Sequence, residues 1–229
     1  MLAGERMTGD DGAIEVCLFP MDYMACSQES SPSSFSHCCG HPCDWASPNN
    51  SPYPVYAPFT GHVVARGQGT GNTLFYSSDA PVRTPSGDIY VSVQMTHAYY
   101  GYPPSKTHFT QGELLYYTGQ QGFAFGDHLH LDQCPGQNKQ WISYGVTCAG
   151  GNACYALPDS RRPNEIFFID GRETIVTTGS MQFIIGDGTP IIGPTGDSAK
   201  MLILMGGKVK KRRAEYGKSK SYTGRLFIH

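Results

Sequence analysis

Charge is scarce in this 229-residue chain: Asp, Glu, Lys and Arg together make up only 16% of it. Helical periodicity is hard to find anywhere along it. With 28 glycines, 16 prolines, 14 tyrosines and 11 phenylalanines, the composition argues against a helical bundle and for a β-rich, loop-rich fold. Long apolar runs are missing too. The longest obvious one is "MLILM" at 201–205, far short of a transmembrane helix. The opening "MLAGERMTGDDGAIEV" has no apolar h-region, so it does not read as a secretory signal peptide. Work outside a cell then implies another route, such as lysis or assembly into a particle. The chain also lacks an HExxH motif, and with it the glutamate base of the common zinc proteases.

The eight cysteines are too sparse for a disulfide-scaffold protein of this length. Cys148 and Cys154 bracket the flexible turn "AGGNA", a spacing that suits a local disulfide. Net charge is −2 but unevenly spread: residues 200–229 hold nine Lys/Arg against Glu215, leaving eight bases and eighteen acids in the remainder. The cluster "KVKKRR" suits an anionic partner, a solvated tail, or docking to another protein. There is no internal repeat. Three parts are expected: a leader over 1–14, a β-rich domain over 15–178, and a basic C-terminal extension over 179–229.

Short strands with turn punctuation run through "YPVYAPFTGHVVARG", "NTLFYSS" and "DIYVSVQMTHAYY". In the last, alternation places Ile89, Val91, Val93, Met95 and His97 on one face. That is an apolar pocket floor ending in an imidazole. Further on, "GDHLHLD" at 126–132 sets two of only eight histidines one residue apart. In a strand, His128 and His130 share a face about 6.6 Å apart along the chain, while Leu129 and Leu131 fill the other. Such a pair serves a metal, a reaction, or merely the exposed face of an amphipathic strand.

The richest donor stretch is "SHCCGHPCDW" at 36–45, with His37, Cys38, Cys39, His41, Cys43 and Asp44. Two zinc sites can be drawn from it. One is closed and structural, made of cysteines and a histidine. The other uses His37 and Asp44 with a distant histidine and keeps a position open for water. Thiolates would cancel the ion's charge and quench its Lewis acidity, whereas two neutral imidazoles and one carboxylate leave a net +1. The remaining histidines read more blandly: His62 as an exposed strand residue, His108 as solvated in the polar "PPSKTHF" loop, and His229 as the terminus. Tyr99, Tyr100 and Tyr102 either line a groove or cover a sheet edge.

The ordered set of "SHCCGHPCDW", "PVYAPFTGHVV", an isolated His97 after a strand, and "HLH" resembles the M23 (lysostaphin-like, LAS-type) zinc metalloendopeptidases. The lead-in "CLFPMDYMACSQ", the H-x6-D spacing from His37 to Asp44, and the trailing "RRPNEIFFIDG" resemble the phage-borne branch. The resemblance spans roughly residues 15–175. It implies a mainly β fold with an antiparallel sheet core, long loops and a short C-terminal extension. Carried over residue by residue, it makes His37, Asp44 and His130 the Zn2+ ligands and His97 and His128 the catalytic, non-ligand histidines. His41, three residues before Asp44, competes with His37, and the H-x6-D match favours His37. The crowding cysteines leave thiol ligation or a disulfide open in that loop. The implied chemistry is amide hydrolysis by zinc-activated water, with one imidazole as base and the other as donor to the oxyanion. His128, beside a ligand, is the favoured base.

The implied substrate is peptidoglycan, cut in its stem or cross-bridge peptides, with no membrane span and no nucleic-acid partner. The implied setting is a phage virion, at the tail tip, opening the wall for genome delivery, with the C-terminal segment docking to other tail proteins. A free endolysin acting at lysis is the nearer variant, and a non-enzymatic structural tail protein on the same shell is the alternative from a different class.

Overall fold

The structure is a computed structural model that describes residue 7 and residues 14–67, 71–99, 106–186 and 190–192. The basic "KVKKRR" cluster, most of the leader, Tyr100, Tyr102 and His229 lie outside the described residues. The protein is mainly β, built on a sheet of eight strands. In spatial order these are Thr174–Thr177, Tyr23–Gln28, Cys43–Ala46, His128–Pro135, Val91–Thr96, Leu74–Ser78, Gly61–Arg66 and His108–Phe109. All neighbouring pairs are antiparallel except the first, where Tyr23–Gln28 runs parallel to Thr174–Thr177. Among the described residues the only α-helix is the four-residue turn Pro163–Ile166, and no helix is long and apolar enough to cross a membrane.

The two faces of the sheet have different chemistry. Alternation along Val91–Thr96 turns Val91, Val93 and Met95 into the main apolar core, where they meet Leu129 and Leu131 of the neighbouring strand. Trp45, on the same face, is fully buried and packs edge-on against Phe19 at 4.6 Å and Phe183 at 6.0 Å. Met181 and Phe183 belong to this core, so packing continues past residue 178. The opposite face carries Asp44, His128, His130 and Asp132 together with Ser92, Gln94 and Thr96. Asp44 and His130 are partly buried and the others buried, and hydrogen bonds satisfy several of them: Ser92 Oγ donates to the Gly136 carbonyl at 2.7 Å, and Thr96 Oγ1 lies 3.1 Å from Thr73 Oγ1.

The expected face running from Ile89 through His97 is interrupted twice. Ile89 belongs to a separate hairpin, Val82–Thr84 with Gly87–Ile89. At the other end the strand stops at Thr96, and His97 takes a left-handed backbone with φ +73°. That turn breaks the two-residue period and carries the imidazole away from Met95, toward His128 and His130.

Truncating Trp45, which backs the Asp44 strand from the apolar side, is expected to destabilise the protein by about 3–5 kcal/mol. Denaturant melts of Trp45→Ala against Trp45→Phe measure this, with the phenylalanine variant losing clearly less.

Candidate functional site

The Ser-rich loop before His37 is a hydrogen-bonded platform. Gln28 Nε2 donates to Ser34 Oγ at 2.8 Å and Ser36 Oγ at 3.0 Å, and Ser34 Oγ accepts the His37 backbone N–H at 3.0 Å. His37 itself is 3% exposed. The loop is then sewn to the Ala153–Ala156 hairpin by two disulfides, Cys38–Cys148 and Cys39–Cys154. The local Cys148–Cys154 bridge is therefore not the pairing, because each cysteine closes a loop of more than a hundred residues instead. With Cys38 and Cys39 spent as disulfides, a closed thiolate cluster cannot form in this loop. Gly40 permits the approach: at φ +60° it passes so close that a Cβ would lie 2.6 Å from Ala156 Cβ.

Antiparallel register does the rest. Asp44 pairs directly with His130, and Ala46 with His128. One carboxylate oxygen, Asp44 Oδ1, consequently faces three imidazole nitrogens: His130 Nδ1 at 3.1 Å, His37 Nε2 at 3.4 Å and His128 Nε2 at 3.6 Å. The His37, Asp44 and His130 donor atoms all lie within 4.8 Å of one another. His41 is not in this group, and its backbone N–H donates to Ser160 Oγ at 2.8 Å. His97 completes a cluster of four imidazoles, its ring 4.6 Å from that of His128 and 5.9 Å from that of His130.

Two tautomers follow from backbone partners. The carbonyl of Gly126 accepts from His128 Nδ1 at 2.9 Å, and that of Gln121 accepts from His97 Nδ1 at 2.6 Å. Each ring thereby keeps the lone pair on its Nε2. Gly119 makes this possible for His97, since the 117–121 segment runs against the His97–Tyr99 backbone with no room for a Cβ.

Electrostatics keeps the site basic. Burial and the neighbouring His130 lower His37 to about 4, and the same two causes lower His97 to about 4. Burial alone would raise Asp44, but the His130 hydrogen bond and the surrounding histidines hold its carboxyl down to about 2. Two imidazoles and a carboxylate thus crowd one small volume, and Nδ1 of buried His37 has no hydrogen-bond partner at all. Such a set fits a divalent cation: donors around a tetrahedral zinc sit roughly 3.3 Å apart, close to the 3.1 and 3.4 Å found here.

Several features were not visible in the sequence pattern. A cleft of about 200 Å³ opens beside Asp44 and His128, walled by Ser27, Gln28 and the rings of Phe35, Phe123 and Phe125. Phe35 and Phe123 stack at 5.9 Å, and Phe125 is 85% exposed. Asp132, two residues beyond His130, is fully buried, and burial raises its pKa. Its carboxylate accepts from Leu157 N at 2.6 Å and Ser160 Oγ at 2.5 Å. Through Ser160 it reaches His41, so Asp132 links the HLH strand to the loop bearing His37. The only sequence signal for it is its place on the His128/His130 face. His62 and His108 lie outside this site, at the far edge of the sheet.

No family model matches the chain. Among curated proteins it is similar to "Morphogenesis protein 1" of Bacillus phage B103, 28% identical over 179 residues, covering 76% of this chain and 44% of that protein. It thus spans less than half the length of that relative. Among solved structures it is similar to a zinc-containing peptidase from Vibrio cholerae, with TM-score 0.38, 16% identity and coverage of 58% of this chain and 45% of that one. It is also similar to a candidate glycyl-glycine endopeptidase, lytM, from Ruminococcus gnavus, with TM-score 0.35, 18% identity and coverage of 62% and 57%.

The depressed histidines set a pH dependence for the metal-free protein. Unfolded, His37 and His97 bind protons near 6.5, whereas folded they do so only near 4. Between those values the unfolded state holds more protons, so their contribution is complete above about 6.5 and disappears as pH falls to 4. Urea melts of chelator-treated protein across this range are expected to show stability rising with pH. The rise should be shallower in a His37→Gln/His97→Gln variant, and equal slopes would contradict the assignment.

Proposed function

We propose that this chain is a zinc-dependent endopeptidase that hydrolyses amide bonds in the stem or cross-bridge peptides of peptidoglycan. The observation that carries this reading is the convergence of His37, Asp44 and His130 beside two further imidazoles whose Nε2 atoms are free to take a proton. The ordered His/Asp pattern shared with the M23 peptidases supports the same assignment.

His37 Nε2, Asp44 Oδ1 and His130 Nδ1 would hold the ion. Zinc held by such a set acts as a Lewis acid toward a carbonyl and lowers the pKa of water to about 7. The protein's own side chains handle the protons. His128 Nε2, 3.6 Å from Asp44 Oδ1, is placed to accept a proton from the attacking water and return it to the leaving amine. The Gly126 carbonyl fixes its tautomer and favours the imidazolium it becomes. His97, tied to Gln121 and neutral at working pH, is a base of the same tautomer. It donates to a developing oxyanion only once it carries a proton. The cleft beside Asp44 mixes polar groups (Ser27, Gln28, Ser36) with the rings of Phe35, Phe123 and Phe125, a lining that suits a peptide.

The phage setting belongs to this proposal. The similarity to a phage morphogenesis protein supports a virion-associated enzyme that opens the wall, with the basic C-terminal segment docking to other tail proteins. A free lysin acting at lysis is the nearer variant.

Turbidity of purified cell walls tests the activity. The zinc-loaded protein is expected to clear walls, and chelation should abolish clearing. The His130→Ala variant should lose both zinc and activity. The His128→Gln variant should keep its zinc while slowing about 10²- to 10⁴-fold. Clearing that survives chelation or His130→Ala would sink the metallopeptidase reading. Bound zinc with no cleavage of any wall would favour a structural tail protein.

A further inference from the structure

The far edge of the sheet holds a second convergence of donors. His62 on Gly61–Arg66 pairs directly with His108 on the edge strand His108–Phe109, and their rings lie 5.7 Å apart. Asp79, just beyond Leu74–Ser78, brings its carboxylate to them from the third strand. Donor atoms of His62, Asp79 and His108 all lie within 4.8 Å of one another.

The orientation of His62 supplies a separate argument. Its Nε2 lies 2.7 Å from Asn138 Oδ1, and its Nδ1 lies 2.6 Å from Asp79 Oδ1. A neutral imidazole has one N–H and cannot donate in both directions. Metal-bound histidines typically donate their second ring N–H to an oxygen that fixes the tautomer. Asn138 fills that place, and it is itself anchored by its backbone N–H donating to Ser77 Oγ at 3.0 Å. With Nε2–H donating to Asn138, the short Nδ1–Asp79 contact is bridged either by a second proton on the ring or by a metal ion that takes that proton's place.

We propose that His62, Asp79 and His108 form a second divalent-cation site, separate from the His37–Asp44–His130 centre. It takes an imidazole-preferring ion such as Zn2+. Its three ligands come from three neighbouring strand segments, so an ion there clamps the two-residue edge strand onto the sheet. A strand of that length has few ladder bonds of its own, and an exposed edge needs such a fastening. The site does not depend on the peptidase reading, since it shares no residue with that centre.

The test is zinc stoichiometry of the full chain, stripped with chelator, titrated with Zn2+ alone and followed by calorimetry and elemental analysis. The wild type is expected to bind two ions, and His108→Gln and Asp79→Asn one each, with the remaining ion at wild-type affinity. His130→Ala should also bind one, by loss of the other site. His108 and Asp79 lie at exposed positions near the sheet edge, and the carboxamide variant keeps the shape of Asp79. A wild-type count retained in both His108→Gln and Asp79→Asn overturns the proposal, whether that count is one or two. Failure of the peptidase centre reads differently: His130→Ala would then keep the full wild-type count.

Discussion

The pairing of Asp44 with His130 across two antiparallel strands is the constraint on which the rest of the site depends. In the folded state a carboxylate oxygen and a ring nitrogen are 3.1 Å apart because their Cα atoms are register partners. A slip of one residue would turn Asp44 into the core and Trp45 out of it. Burial of Trp45, Leu129 and Leu131 on one face therefore enforces convergence of Asp44, His128 and His130 on the other. Apolar packing sets the register, and the register sets the chemistry.

The loop that brings His37 has no strand to align it, and it is fixed by other means. Two disulfides, a glycine with no room for a side chain, and the serine platform hold it against the hairpin and the buried Asp132 network. The first bridge closes a loop of about 110 residues, a constraint on the unfolded chain of about 4–5 kcal/mol. The second, one residue along, closes only a small extra ring and contributes roughly half of that. Disulfides of this kind persist in oxidising surroundings, in keeping with the proposed action on a wall outside the reducing cytosol.

How much of this was legible in the sequence follows from which parts obey a period. The HLH pair, its apolar back and the shortage of helix all follow from strand alternation, and the structure has that arrangement. His97 reached the same site for a reason alternation cannot encode: a positive φ undoes the two-residue period that would have left it with Met95. The disulfide pairing was misread because Cys148 and Cys154 are near in sequence while their partners are brought near only by the fold. His62 and His108 each looked like solvated surface, since nothing in one strand reveals the register of the next. The phenylalanine wall and the Asp132 network depend on loops meeting across the sheet, and no local pattern marks them.

The site is thus a basic, partly desolvated pocket in which the register of the sheet crowds imidazoles around one carboxylate, a set that fits a divalent cation. The two remaining imidazoles are held in one tautomer by backbone carbonyls and stand ready to carry protons. The central claim is that this arrangement breaks an amide bond in the bacterial wall. Mass spectrometry of the soluble fragments released from purified sacculi by the zinc-loaded protein tests it most directly. The account predicts peptide-bearing fragments with a new amino group and a new carboxylate at one stem or cross-bridge position. Fragments carrying only new reducing sugar ends, or no fragments at all, would contradict it.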